Sequence, residues 1–201
     1  MKLLAARKFA ISKHQCQKRK DCKTPYWRHL DKVVQNLQKI GVKDDSVLCA
    51  GWLHDTIEDT ATDYDDIYEK FGKKCADIVA SLTKDTRLAK PKREAQYVAQ
   101  LKKSSLDSKI VKLCDVWANI ADLENTNYSF SKKKKQVIEK QKYLGAILPA
   151  ILKNRTRYWG LTGAFAEMQQ LLHEYGQKIP VKKAELDTTF VKSSSGQKSG
   201  A

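Results

Sequence analysis

Apolar residues recur along the chain at three- and four-residue spacings, and no stretch shows strand-like alternation or an Asn-Gly hairpin signal. The pattern predicts an all-α domain. A first helix is expected over 3–19, with Leu4, Phe9 and Ile11 as core contacts, followed by a turn at Asp21-Cys22-Lys23-Thr24-Pro25. A second helix, from about 29, carries Leu30, Val33, Val34, Leu37 and Ile40 in one stripe and stops at Gly41. Asp44 or Asp45 can cap a third helix, which buries Val47, Leu48, Ala50 and Leu53 and delivers His54-Asp55 at its far end. Then come a short acidic segment over 60–72, a helix over 75–82 and a Lys-rich stretch around Pro91 that reads as a loop. Asp107 opens a strongly amphipathic helix through Ile110, Leu113, Cys114, Trp117, Ile120 and Leu123, and two more helices are expected over 132–152 and 158–175. Beyond Gly176 the composition turns to Lys, Ser and Gly, so 1–175 reads as one domain and 176–201 as a disordered basic tail.

One segment breaks this pattern. Trp52-Leu53-His54-Asp55-Thr56-Ile57-Glu58-Asp59-Thr60 gathers His54, Asp55, Glu58 and Asp59 at the end of an apolar helix. His54 and Glu58 are four apart, as are Asp55 and Asp59, so on a helical backbone they would meet in pairs. Like charges held this closely raise one another's free energy unless a cation intervenes. A His-Asp dipeptide alone is weak evidence, but two further residues strengthen it. His29 begins one amphipathic helix, and Asp115 interrupts the apolar run of another, where an unpaired carboxylate would be costly. His29, His54, Asp55 and Asp115 together offer two imidazoles and two carboxylates, a set suited to manganese, iron or another divalent ion with open positions. Such an ion acidifies water enough to make it a nucleophile near neutral pH, with Glu58 and Asp59 placed to orient it or move its proton. His14 reads as a helix-packing residue and His173 as surface.

Charge narrows the partner. The chain carries 38 Lys and Arg against 23 Asp and Glu, a formal charge of +15 that attracts anions, phosphorylated substrates and nucleic acid among them. Runs such as Lys132-Lys133-Lys134-Lys135 lack the interleaved aromatics of a single-strand binding face and read as solvated, so nucleic acid is not the expected partner. Five cysteines form no C-x-x-C pair, which argues against a disulfide framework and a zinc ribbon; Cys49 and Cys114 read as core. With no apolar run long enough to cross a membrane and no export signal, a cytoplasmic protein is expected.

The order of the motifs resembles the HD-domain alarmone hydrolases, meaning the hydrolase domain of Rel/SpoT proteins and the small stand-alone alarmone hydrolases. The elements are Ala6-x-x-Phe9-Ala10 with His14, Arg19-Lys20, Pro25-Tyr26-x-x-His29, Leu53 to Thr60, Phe71-Gly72, Leu82-Thr83, and Lys112-Leu113-Cys114-Asp115 with Asn119. The resemblance implies an HD-domain helical bundle with a metal site in its core cleft, holding Mn2+ or another divalent metal on His29, His54, Asp55 and Asp115. It implies Glu58 and Asp59 as catalytic acids, Arg19 and Lys20 on the substrate's base and phosphates, Asn119 on the nucleoside, and Tyr143 as a further substrate contact. The implied reaction removes the 3′-pyrophosphate from ppGpp or pppGpp, the guanosine 3′-diphosphates with a 5′-diphosphate or 5′-triphosphate. Leu30 after His29, the turn before Pro25, and Val116-Trp117 after Asp115 depart from the family pattern. These departures bear on the shape of the nucleotide pocket and leave open another nucleotide, such as an adenine alarmone, NADPH or a nucleoside monophosphate. A non-catalytic nucleotide- or nucleic-acid-binding module is a further alternative, against which the Glu58-Asp59 pair speaks.

Overall fold

The computed structural model describes residues 1–181. Its helices are α1 (Lys2–Lys13), α2 (Trp27–Lys39), α3 (Asp45–Leu53), α4 (Thr56–Asp59), α5 (Tyr64–Phe71), α6 (Lys73–Leu82), α7 (Lys90–Lys103), α8 (Leu106–Ala121), α9 (Phe130–Lys153) and α10 (Leu161–His173). No strand forms among the described residues; Lys18 and Pro25 make one isolated bridge across the turn after α1. None of these helices is long and apolar enough to cross a membrane.

The stripe predicted on α2 is buried, and α2 lies against α3 and α8. Gly41 ends its turn at φ +98°, in the left-handed region that only glycine enters freely, and Trp159 Nε1 lies 2.3 Å from where a Cβ would be. Asp44, of the two candidates, caps α3, accepting from the N–H of Ser46 at 2.8 Å and of Val47 at 3.3 Å. Asp63 and Asp66 close a reciprocal capping box at the start of α5. Helix α8 is buried without a break from Ser108 to Ala118, as a helix must be when other helices enclose it.

Three expectations change. Helix α1 stops at Lys13, and its fully buried residues are Ala6 and Ala10, small side chains that let its backbone come close to α3; Phe9 packs edge-on against Phe71 as expected, while Leu4 is exposed. The stretch around Pro91 is helical, not a loop: Pro91 occupies the first turn of α7, where its missing N–H has no partner to lose, and Tyr97 and Leu101 anchor the helix in the core. Residues 176–181, expected as tail, return to the bundle, with Ile179 buried and its N–H donated to Gln169 Oε1 at 3.1 Å. The remainder of the expected tail lies outside the described residues.

Gly51 and Gly145 are both helical, so alanine should gain about 1 kcal/mol of helix propensity at either. At Gly145 no atom lies within 4 Å of the added methyl, whereas at Gly51 it meets Leu37 Cδ1 at 2.7 Å and Val34 Cγ2 at 3.0 Å, both inside the core. We expect Gly145→Ala to raise Tm and Gly51→Ala to lower it, with overpacking of about 1–3 kcal/mol outweighing the gain. Paired thermal unfolding of the two variants tests the α2–α3 contact on which His29 and His54 are mounted.

Candidate active site

Helices α2, α3 and α8 converge on a buried group. His29 lies in the first turn of α2, His54 just past the end of α3, Asp55 just before α4, and Asp115 in the middle of α8. His29, His54 and Asp55 each offer a ligating atom within 4.8 Å of the others. Asp115 Oδ1 completes the group at 3.1 Å from His29 Nε2 and 3.6 Å from His54 Nε2, while Asp55 Oδ2 lies 3.0 Å from His54 Nε2 and 3.8 Å from His29 Nε2.

Hydrogen bonds alone do not account for this geometry. Both nitrogens of His29 and Nε2 of His54 are buried without an aligned hydrogen-bond partner, although carboxylate oxygens stand close by. His54 Nδ1 meets the Gly51 carbonyl at 2.9 Å, a contact that places the proton there and turns the Nε2 lone pair into the shared space. Buried lone pairs aimed at one point beside carboxylates fit a divalent cation, and imidazole with carboxylate is a donor set such ions take.

The electrostatics carry the same demand. Burial disfavours a charge on His54, yet Asp55 and Asp115 outweigh it and push its pKa up to about 10. Burial likewise opposes ionisation of Asp115, but Lys112 and the two imidazoles hold its carboxyl well below the ordinary range. Asp55 is also held low, against burial, by His54. His29 is shifted down, chiefly by burial, and is the more readily neutral ligand.

The predicted pairing of His54 with Glu58 does not occur. The chain changes direction between α3 and α4, so the spacing of a continuous helix does not apply across His54 and Asp55. Glu58 instead accepts the Lys84 N–H at 3.0 Å. Asp55 and Asp59 do meet, through the Tyr26 hydroxyl, which lies 2.6 Å from Asp55 Oδ2 and 3.3 Å from Asp59 Oδ2. Burial and the charges of Asp55 and Glu58 push the Asp59 pKa up to about 6. Asp55, Glu58, Asp59 and Asp115 all line one cleft of about 200 Å³, together with Arg19 and Lys20.

Arg19 donates from Nε and Nη2 to Asp122 at 3.1 and 2.7 Å and from Nη2 to Asn119 Oδ1 at 3.0 Å, and stands over the Tyr26 ring. Asn119 in turn donates to Asp115, so it joins Arg19 to the buried group. Arg19, Lys20 and Asn119 also line an adjoining hollow of about 240 Å³ that continues to Arg28, Leu123 and Thr126. Tyr143 is not brought onto the cleft surface: its ring is buried, packed edge-on to Tyr97, and its hydroxyl bonds Glu94. His14 packs beyond the end of α1, not within it, stacked on Tyr26 at 4.8 Å, with Nδ1 2.7 Å from Gln17 Oε1. His173 is exposed, as its sequence context indicates.

Four residues that matter here carry no role in the sequence reading: Tyr26, Lys84, Lys112 and Lys140. Tyr26 and Lys112 stand inside the motifs, and a lysine three residues before Asp115 in an otherwise apolar run is the one available signal. Lys112 Nζ lies 2.7 Å from Asp115 Oδ2 and 5.1 Å from the centroids of both Tyr97 and Tyr143. Lys112→Met keeps an unbranched chain between the rings but deprives Asp115 of its cation, which should cost about 3 kcal/mol in the metal-free protein. Saturating divalent ion should then raise the Tm of the variant more than that of the wild type, because the ion meets a more negative site. Equal shifts in both proteins would remove the charge-balancing role of Lys112.

Comparison with known proteins identifies the family. An HD domain family model matches residues 6–143. The guanosine-3′,5′-bis(diphosphate) 3′-pyrophosphohydrolase MESH1 of Mus musculus is 42% identical over 123 residues, which are 60% of this chain and 69% of that protein. The corresponding enzyme of Aquifex aeolicus is 32% identical over 139 residues, 68% of this chain and 19% of its own length. The solved structure of a metazoan ortholog of SpoT, described as hydrolysing ppGpp, superposes with a TM-score of 0.75 at 26% identity, covering 87% of this chain and 96% of that one. With its buried His and Asp cluster at the convergence of α2, α3 and α8, the chain belongs to the HD domain family, among the relatives of the MESH1-type hydrolases.

Proposed function

We propose that the chain is a metal-dependent 3′-pyrophosphohydrolase of guanosine 3′,5′-bis(diphosphate), releasing pyrophosphate and leaving the 5′-phosphates on the nucleoside. The observation that carries this reading is the meeting, in one cleft, of an imidazole and carboxylate cluster with the Glu58 and Asp59 carboxylates and a wall of lysines. Relatives bearing that activity by name support the choice of substrate.

In the reaction the bond between the 3′-oxygen and its phosphorus breaks, water oxygen joins that phosphorus, and the 3′-oxygen takes a proton. His29, His54, Asp55 and Asp115 hold the divalent ion, for which we propose Mn2+. When bound, the ion supplies positive charge that acidifies water and draws electrons from the phosphoryl oxygens. Glu58, held by the Lys84 N–H and lining the cleft, is suited to receive the proton of the attacking water. Asp59, with its raised pKa, is suited to hold a proton near neutrality and return it to the 3′-oxygen. Lys20, Lys84 and Lys140 face the phosphates. The guanidinium of Arg19, already tied at its edge to Asp122, offers its flat face to the base. The partner is a small nucleotide in the cytoplasm, not a membrane or a nucleic acid.

Purified protein with Mn2+ should convert ppGpp to GDP and pyrophosphate, identified by chromatography, and EDTA should abolish the conversion until metal is restored. A panel including an adenine alarmone, NADPH and nucleoside monophosphates decides among the alternatives, and turnover in demonstrably metal-free protein would sink the mechanism. Glu58→Gln and Asp59→Asn should keep the fold and the metal but lose at least about a hundredfold in kcat, within the range general acid-base catalysis contributes. His54→Ala should lose the metal as well, so metal analysis beside the rates separates the two roles.

A further inference from the structure

Beside the catalytic cleft lies a second basic compartment, of which the reaction proposed above uses only the two lysines at the junction, Lys20 and Lys140. It is a groove of about 460 Å³, lined by Lys20, Lys90, Lys132, Lys135 and Lys140 with a single acid, Glu139. None of these five lysines has a carboxylate oxygen within 4.0 Å among the described residues. Their own neighbours are neutral where they exist: Lys20 Nζ donates to Gln136 Oε1 at 2.6 Å, and Lys132 Nζ sits 3.5 Å above the Tyr128 ring. Glu139 is turned toward the Tyr143 hydroxyl, 3.5 Å away. Cations held together without counter-charge repel one another, and burial with the ammonium groups of Lys112, Lys84 and Lys20 pushes the Lys140 pKa down to about 8. The arrangement is favourable once an anion occupies it.

Lys20 and Lys140 line both the groove and the cleft, so the two compartments meet at these residues. Their chemistry differs. The cleft contains the buried carboxylates with Glu58 and Asp59, whereas the groove contains no imidazole and no pair of carboxylates. A phosphate chain in the cleft can be cut, and one in the groove can only be held.

We propose that the groove seats the 5′-phosphate chain of the substrate while its 3′-diphosphate lies in the cleft, so that the fold determines which arm of the nucleotide is hydrolysed. This rests on the reaction proposed above. A nucleoside phosphorylated at both positions carries two anionic arms on one ribose, and two basic compartments joined at Lys20 and Lys140 complement that shape. With five lysines against one acid, the groove has room and charge for more than one phosphate, so each phosphate added at the 5′ end strengthens binding without altering the reacting centre.

The test uses three guanosine 3′-diphosphates that differ only in bearing a 5′-hydroxyl, a 5′-diphosphate or a 5′-triphosphate. They are assayed on the metal-loaded wild type, on Lys132→Gln/Lys135→Gln, and on Lys133→Gln/Lys134→Gln, which removes the same charge from the same run but from residues outside the groove. Lys132 and Lys135 are exposed, so their replacement leaves the fold intact. With two exposed ammonium groups removed, the groove variant should raise KM about tenfold for the 5′-triphosphate, about threefold to fivefold for the 5′-diphosphate and less than about twofold for the 5′-hydroxyl compound, at unchanged kcat. The control variant should shift all three equally and slightly. A uniform shift in the groove variant, no shift, or the same gradient in the control would overturn the proposal. If the wild type cleaves none of the three, the reaction proposed above fails, and the groove is judged by equilibrium binding of the same series: a gradient lost in the groove variant upholds it, and a flat series rejects it.

Discussion

Two carboxylates and two imidazoles share one space between α2, α3 and α8, all buried but the partly exposed Asp55, and the free energy of keeping them there constrains the structure around them. An ionised carboxylate taken out of water is held only when it is paired, and Asp115 is paired three ways, with Lys112, Asn119 and the imidazoles. Each partner must then be placed in turn. Lys112 is walled by Tyr97 and Tyr143, which requires α7 and α9 to close on that side, and Asn119 is engaged by Arg19 from the turn after α1. The abrupt end of α3 follows from the same constraint, since a continuous helix would carry Asp55 away from His54 and His29. The bundle is thus arranged around a charge cluster whose nitrogen and oxygen donors converge on one point.

That arrangement was partly legible in the order of residues. A period of 3.6 marks α2, α3 and α8 because each presents one apolar face or is enclosed entirely, and the sites of His29, His54 and Asp115 follow from where those periods break. The pattern misled at α1, where alanines and not Leu4 face inward, because close approach of two helices favours small side chains that carry little hydrophobic signal. It misled at Pro91 because the same residue that breaks a helix interior is welcome in a first turn. Lys84 and Lys140 were beyond reach for a different reason. Nothing in a surface-like lysine indicates that distant chain segments will bring it beside Tyr97 or Tyr143, and only the packing of α6, α7 and α9 supplies that information.

The net positive charge is therefore not spread as a featureless coat. Lys132 and Lys135, from a run that reads as solvated, do reach solvent, yet they line a wall continuous with the catalytic cleft. Cations clustered around a concave surface raise the local concentration of anions more than the same number dispersed over a convex one, since low-dielectric walls focus the field. Both signs occur at both depths of the cleft, since Lys112 and Asp115 are buried while Asp59 reaches solvent. A polyanion drawn in by the lysines meets these carboxylates beside the His and Asp cluster, where a divalent cation can intervene.

The balance at that point couples the binding of metal to the binding of substrate. With Lys112 charged, the two buried carboxylates leave one negative charge, which a proton on His54 cancels in the absence of metal. A divalent ion must displace that proton, because imidazole binds metal through the lone pair the proton occupies. Once it has done so, the cluster bears one net positive charge in place of none, beside the lysines of the cleft. The phosphates of a substrate then approach a positive cluster, whereas in the metal-free protein they approach a neutral one, with Glu58 and Asp59 beside it in either case. Metal and substrate therefore favour each other's binding, and by linkage the coupling is the same in either direction. Lys112 tunes this coupling: as the one fixed cation in the cluster it leaves a single negative charge, so that a proton only neutralises the site whereas a divalent ion makes it positive.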